Sequence, residues 1–106
     1  MKNLIKGVLI LVVVLGAVAC GDDPRTTDIV GLNRDAAAGK TTYDANCAVC
    51  HGADGSGTGA NPNIKSESDD AKIVDIIITG DGAMPAFGDK LSDQEIADTM
   101  GYVLTL

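Results

Sequence analysis

Hydrophobic residues form an uncharged run near the N-terminus and then recur at helical spacing in three later segments. The run covers residues 7–19 and follows Lys2 and Lys6 in a stretch without acidic residues. A helix that spans a membrane needs about 20 apolar residues, so this shorter run is typical of an export signal rather than of a permanent anchor. We predict that residues 1–19 are a signal peptide that is cleaved before Cys20.

The residues at the predicted cleavage site also indicate the fate of Cys20. The sequence Ala17-Val18-Ala19-Cys20 resembles a bacterial lipobox, whose cysteine is acylated and becomes the first mature residue, although Ala17 stands where leucine is usual. The same residues satisfy the small-x-small rule for ordinary signal peptidase, which would release a soluble periplasmic protein. We expect lipidation, because acyl chains on Cys20 would anchor the protein to a membrane, whereas a lone thiol there has no obvious partner. The expected location is the periplasmic side of the bacterial cell envelope.

The mature chain is predicted to begin with a tether and to continue as one small domain. Residues 20–35 are polar and lack helical apolar periodicity, which is typical of a flexible tether. From residue 36 the pattern becomes helical, with Gly39, Tyr43 and Cys47 four residues apart on one face. Residues 36–106 are therefore the expected folded domain, and its first helix runs into Cys47 and Cys50.

A second helix is predicted between Ser68 and Gly80. Ser68 is the expected N-cap and Gly80 the C-terminal stop, and the apolar face contains Ile73, Val74, Ile76 and Ile77. Isoleucine and valine also favour strands, but the sequence offers no second strand with which such a strand could pair.

The last predicted helix has the clearest start signal in the chain. Ser92 and Glu95 have the spacing of a capping box, and Leu91 and Ile96 have that of a hydrophobic staple. A stripe of apolar residues follows, made of Ile96, Met100, Val103 and Leu104. The expected fold class is all-α, with three to four short helices joined by long loops.

The loops and the composition both suggest that a cofactor occupies part of the core. Residues 52–67 and 80–90 are long stretches without predicted structure, and in a small domain such stretches usually belong to a site or a cofactor. The chain has only three aromatic residues, Tyr43, Phe87 and Tyr102, and no tryptophan. Since aromatic side chains usually supply the largest buried areas, something else is expected to fill the core.

The charge and the histidine count exclude several function classes. The formal net charge is −7, and removing Lys2 and Lys6 with the leader leaves six basic against fifteen acidic side chains, a charge of about −9. Such an acidic surface is unsuited to nucleic acid or to anionic lipid headgroups. The single histidine excludes catalytic zinc sites and haem sites that need two imidazoles from one chain.

The residues that carry chemistry are Cys47-Ala48-Val49-Cys50-His51, the C-x-x-C-H signature of covalent c-type haem attachment. Two cysteines three residues apart on a helical turn present both sulfurs to the two vinyl groups, and the next residue directs its imidazole toward the iron. Three alternatives remain for these residues: a zinc site, a thioredoxin-like dithiol and a structural disulfide. Each has an argument against it. The folded part has no further Cys or His to complete a zinc site, a thioredoxin-like dithiol would need a preceding core strand, and the disulfide would close a very small loop.

Met84 is the predicted second axial ligand of the iron. It lies in a loop where Pro85 restricts the backbone and where Gly80, Gly82 and Gly88 permit a close approach to a flat ring. Met100 is the other soft candidate, but it falls on the apolar stripe of the last helix and is therefore expected to be core.

Four motifs in this order resemble the class I cytochromes c, in particular the small bacterial monohaem group of c6 and c553 types. The similarity covers residues 38–106 and is carried by residues 39–52, Pro62-Asn63-Ile64, residues 82–87 and residues 91–103. The resemblance implies the cytochrome c fold, with the Pro62 carbonyl accepting the Nδ1 proton of His51. It also implies that Gly39 and Tyr43 meet Tyr102 where the first and last helices cross. Lys65-Ser66 departs from the glycine that is usual in that family.

These residues together predict a one-electron carrier with a single haem c, attached through Cys47 and Cys50 and ligated by His51 and Met84. Because both axial positions would be filled, no small-molecule substrate and no catalysis are expected. The expected partners are redox proteins of a respiratory or photosynthetic chain with basic docking patches, and the lipid anchor would supply the only membrane contact. Two alternatives are a haem-based gas sensor with a labile Met84 and a haem-free envelope lipoprotein with a Cys47–Cys50 disulfide.

Overall fold

The computed structural model describes residues 23–106, and that part of the chain contains five α-helices and no strands. In chain order they are α1 (Thr26–Val30), α2 (Ala36–Asn46), α3 (Ala48–His51), α4 (Asp70–Thr79) and α5 (Asp93–Val103). The all-α class is therefore confirmed, and the two helices beyond the predicted ones are the short α1 and α3. None of the helices in residues 23–106 is long and apolar enough to cross a membrane. The predicted signal peptide and Cys20 lie outside the described residues.

The segment predicted to be a flexible tether is ordered from Asp23 onward, so the tether prediction is wrong for that part. Residues 26–30 form α1, which packs against α4 and α5. The side chain of Ile29 is fully buried in the core, and Val30 packs against that core. Ile29 and Val30 are adjacent and the helix has only five residues, so they produce no helical periodicity, which is why the sequence pattern did not indicate this helix.

Side-chain caps determine where the three longer helices begin. The Asp35 carboxylate accepts hydrogen bonds from the backbone N–H groups of Ala37 and Ala38 at the start of α2. The capping box of α5 is confirmed, because Ser92 accepts from the Glu95 N–H while Glu95 accepts from the Ser92 N–H. In α4 the cap is Asp69, which accepts from the Lys72 N–H, and not Ser68 as predicted.

Helices α2 and α5 cross with their backbones in direct contact at Gly39. A Cβ atom on Gly39 would lie 1.9 Å from the Asp98 carbonyl oxygen, so only glycine fits at this crossing. One turn further along α2, the rings of Tyr43 and Tyr102 pack edge to face with centroids 5.1 Å apart. This is the crossing that the resemblance implied. Met100 is fully buried in α5, as expected for a core residue.

Candidate functional site

A largely apolar cavity of about 530 Å³ lies between α2, α3, α4 and the two long loops. Its volume is within the range of about 300–1,000 Å³ that is typical of ligand and cofactor sites. The cavity brings together five predicted site residues, which are Cys47, Cys50, His51, Pro62 and Met84. Met100 does not line it. The walls are completed by apolar side chains that include Ile64, Ile73, Ile76, Phe87 and Val103.

The C-x-x-C-H motif occupies the junction of α2 and α3. Cys47 ends α2 and begins α3, and its carbonyl accepts from the N–H groups of Cys50 and His51 at 3.1 and 3.0 Å. The two motif cysteines do not form a disulfide with each other, and Cys47 is half-buried while Cys50 is exposed. Burial, with a smaller contribution from the nearby Cys50, raises the pKa of the Cys47 thiol to about 11. The surroundings of Cys47 thus disfavour a charged thiolate.

The imidazole of His51 is oriented by a backbone carbonyl. Its Nδ1 lies 3.1 Å from the carbonyl oxygen of Pro62, as the resemblance implied. Because that oxygen can only accept, Nδ1 carries the proton in this contact, and in the neutral imidazole Nε2 then keeps its lone pair. The contact therefore orients the ring and leaves the nitrogen that a metal would use unprotonated.

Two loop residues that sequence reasoning missed hold Pro62 near His51. The Gly57 N–H donates to the His51 carbonyl at 2.7 Å, and the Thr58 hydroxyl donates to the Cys50 carbonyl at 2.6 Å. Gly57 has φ +89°, and a Cβ there would lie 2.5 Å from the Asn61 carbonyl oxygen. This position therefore requires glycine. The run of glycines was visible in the sequence, but it did not distinguish this one from its neighbours.

The loop that carries Met84 is bound to the C-terminal end of α4. Asp81 and Met84 exchange two backbone hydrogen bonds, of 3.2 and 2.9 Å, which close a tight turn. The N–H groups of Phe87 and Gly88 donate to the carbonyls of Ile77 and Ile78 at 2.8 and 3.1 Å. The Met84 side chain is partly buried and packs against the core at the cavity wall.

The cavity wall also contains one ion pair that the sequence analysis did not identify. The Lys72 ammonium donates to both carboxylate oxygens of Glu67, at 3.0 and 3.1 Å.

Tyr43 lies beneath the motif, where its hydroxyl donates to the Gly52 carbonyl at 2.7 Å. Burial is the main cause that raises the pKa of Tyr43 to about 12.

The residues that line the cavity fit a covalently attached haem. Two adjacent thiols supply the attachment groups, while an imidazole nitrogen and a thioether sulfur are neutral donors of the kind that hold haem iron. The remaining wall is mostly apolar, as a porphyrin face requires. Within residues 23–106, no group of three or more His, Cys, Asp or Glu side chains is arranged to hold a bare metal ion.

Comparisons with known proteins show the family to which this chain belongs. The family model described as "Cytochrome C oxidase, cbb3-type, subunit III" matches residues 34–103. Cytochrome c6 of Leptolyngbya boryana is 39% identical over 77 residues, which cover 66% of this chain and 91% of that protein. The gluconate 2-dehydrogenase cytochrome c subunit of Pantoea cypripedii is 33% identical over 99 residues, which cover 76% of this chain but 22% of that protein.

A solved structure supports the same assignment. Cytochrome c6 of the diatom Phaeodactylum tricornutum superposes with a TM-score of 0.56 at 34% identity, covering 66% of this chain and 91% of that one. Cys47 and Cys50 stand at the attachment positions of the C-x-x-C-H motif. The chain therefore belongs to the family of small c-type cytochromes that this model and these relatives describe, electron carriers with one covalently attached haem c.

Proposed function

We propose that this protein transfers single electrons in the bacterial cell envelope and that His51 and Met84 are the two axial ligands of its haem. The observation that carries the proposal is the cavity that His51 and Met84 line together with both motif cysteines. The haem supplies an iron that cycles between its ferric and ferrous states. With both axial positions filled by the chain, no site is left for a substrate, and electron transfer is the remaining chemistry.

The surroundings of the two ligands support a relatively high reduction potential. His51 and Met84 are neutral ligands, and most of the cavity wall is apolar. A low-polarity site with neutral ligands favours the state of the iron that carries less charge, which is the reduced one. The two backbone hydrogen bonds between Asp81 and Met84 restrict the position of Met84. They therefore favour a stable methionine ligand over the labile one that a gas sensor would need.

Two variants test the proposed haem attachment and the proposed membrane anchor separately. In Cys47→Ser/Cys50→Ser the haem should be lost from the polypeptide, because no sulfur remains to form a thioether. In Cys20→Ser the haem should stay attached, but the protein should leave the membrane fraction. The measurement is a denaturing gel stained for haem peroxidase activity, run on membrane and soluble fractions of each strain. Wild-type protein without stain would contradict the haem assignment, and Cys20→Ser protein that stays with the membrane would contradict the anchor.

If Cys20 is acylated, the domain is expected to lie close to the membrane surface. Cys20 is three residues before Asp23, a span of at most about 11 Å in extended chain. The Asp23 N–H in turn donates to the Asp75 carboxylate at 2.6 Å, which holds the start of the described chain against α4. The proposed anchor thus acts through a short link and not through the long tether that the sequence suggested.

The charge distribution supports redox partners with basic docking surfaces. Four of the six basic side chains in residues 23–106 are already paired with carboxylates, in Arg25–Asp93, Arg34–Asp70, Lys40–Asp44 and Lys72–Glu67. Most of the charged side chains that remain without an ion-pair partner in residues 23–106 are therefore acidic. Val49, inside the attachment motif, is 81% exposed and offers an apolar contact beside the cavity. A small, transient interface of this kind is common among electron-transfer partners.

Electron transfer with cationic reagents should slow as salt is added. We expect the rate with hexaammineruthenium to fall by about tenfold from low to near-molar ionic strength, because salt screens its attraction to the acidic surface. The control is the anionic iron–EDTA complex, whose rate should rise over the same range. Stopped-flow mixing measures both rates. Two rates that stay flat would contradict electrostatic docking.

A further inference from the structure

The N-terminal segment 23–31, here called the strap, is an ordered part of the domain that lies outside the residues matched by the family model. That match begins at residue 34. The strap is held by three contacts: the Asp23 N–H donates to Asp75, Ile29 is fully buried, and α1 packs against both α4 and α5. It is therefore a feature of this chain that the family resemblance did not predict and that takes no part in the proposed electron transfer.

One strap residue, Arg25, connects the strap to the end of the loop that carries Met84. Its Nη1 donates to the Gly88 carbonyl oxygen at 2.9 Å, and its Nε donates to the Asp93 carboxylate at 3.1 Å. Gly88 is the last loop residue that hydrogen-bonds to α4, and Asp93 is the first residue of α5. A single guanidinium thus joins the strap, the loop and the last helix.

The position of Met84 depends on these contacts at the end of its loop. Between Met84 and Phe87 the backbone packs on Gly80 but donates no backbone hydrogen bond, since Pro85 has no N–H and the Ala86 N–H makes none. The next fixed points are the N–H groups of Phe87 and Gly88, which donate to the end of α4. A loop with few fixed points opens more readily than the rest of a domain, so each fixed point near Met84 affects how often it leaves the cavity wall.

We propose that Arg25 is a positioning residue that clamps the Met84 loop through the Gly88 carbonyl and so slows the departure of Met84 from the iron. This inference rests on the proposed ligation by Met84. The Arg25 and Asp93 side chains are 36% and 51% exposed, so their solvent-screened ion pair adds little to global stability. The hydrogen bond to Gly88 is partly buried and acts on the loop itself. Its loss should therefore change loop opening more than the unfolding of the whole domain.

The test is the rate at which imidazole replaces Met84 in the ferric, haem-loaded protein, followed by loss of the methionine-to-iron charge-transfer band. In Arg25→Gln we expect this rate to rise by about five- to tenfold, because a charge-assisted hydrogen bond to the loop is removed. Arg25→Lys should give an intermediate rate, because lysine keeps the charge but lacks the planar guanidinium that donates to the Gly88 carbonyl and the Asp93 carboxylate together. The matched control is Arg34→Gln, which breaks a similarly exposed ion pair with Asp70 that does not touch the loop.

Amide hydrogen exchange separates failure of the clamp from failure of the ligation. The Phe87 and Gly88 amides report on the loop whether or not Met84 binds iron, and they should exchange faster in Arg25→Gln than in Arg34→Gln. Equal exchange in the two variants, or equal imidazole rates, would overturn the clamp. A wild-type protein that lacks the charge-transfer band would instead overturn the ligation by Met84, and the exchange data would still decide whether Arg25 holds the loop.

Discussion

Replacing Met84 with alanine should abolish the methionine-to-iron charge-transfer band of the ferric protein and lower its reduction potential. The potential should fall by on the order of 100 mV, because axial-ligand identity sets haem potentials over a span of about 0.8 V. Loss of the thioether also opens one side of the iron. The reduced variant should therefore bind carbon monoxide rapidly, whereas the wild-type protein should bind it slowly.

Met100→Leu is the matched control for this experiment. Met100 is fully buried in α5 and does not line the cavity, and leucine has a similar volume. This variant should keep the charge-transfer band and a nearly unchanged potential. An unaltered spectrum in Met84→Ala would remove Met84 from the ligand set. Rapid carbon monoxide binding by the wild-type protein would favour the gas sensor that the sequence left as an alternative.

The substitution Gly39→Ala should destabilise the domain more than any other single methyl addition in α2 or α5. The added Cβ would lie 1.9 Å from the Asp98 carbonyl oxygen and 2.4 Å from its carbonyl carbon, so the two helix backbones would have to separate. We expect a loss of about 3 kcal/mol, the upper end of the usual cost of overpacking, and a fall in Tm of about 12–24 °C. Thermal unfolding of the haem-loaded protein, followed by circular dichroism, measures this loss.

Gly101→Ala is the control for that prediction, because it makes the same chemical change on the other helix. A Cβ on Gly101 would lie 2.9 Å from the Cβ of Arg34, so the loop residue Arg34 would have to shift slightly, whereas no helix backbone stands in the way as it does at Gly39. The expected change in stability is within about 1 kcal/mol, since alanine also favours helix by up to about 1 kcal/mol over glycine. Equal destabilisation by the two variants would contradict a specific backbone contact at Gly39.

Local patterns explain which elements could be predicted. The capping box at Ser92 and Glu95 and the stop at Gly80 involve residues within one turn of each other, and they appear in the structure as expected. The attachment motif is equally local, because Cys47, Cys50 and His51 share one turn. The prediction failed where a residue acts through distant partners. Arg25 reaches Gly88 and Asp93, which lie more than sixty residues further along the chain.

The family resemblance predicted contacts between distant residues that the hydrophobic pattern could not predict, but only within the region that resembles the family. It implied the contact between His51 and Pro62 and the packing of Tyr43 on Tyr102, and both are present. It did not extend to α1, which lies before the matched residues, nor to the ion pair of Glu67 and Lys72 at the cavity wall.

By itself, the sequence determined the all-α class, the start of α5, the end of α4 and the chemistry of haem attachment, because spacing within one or two helical turns is sufficient to specify them. Only the tertiary structure decided that His51, Pro62 and Met84 line one cavity and that Gly39 must be a glycine. It also decided that Asp23 to Gly31 is a docked strap, since the burial of Ile29 arises from side chains on α4 and α5 that local sequence does not reveal.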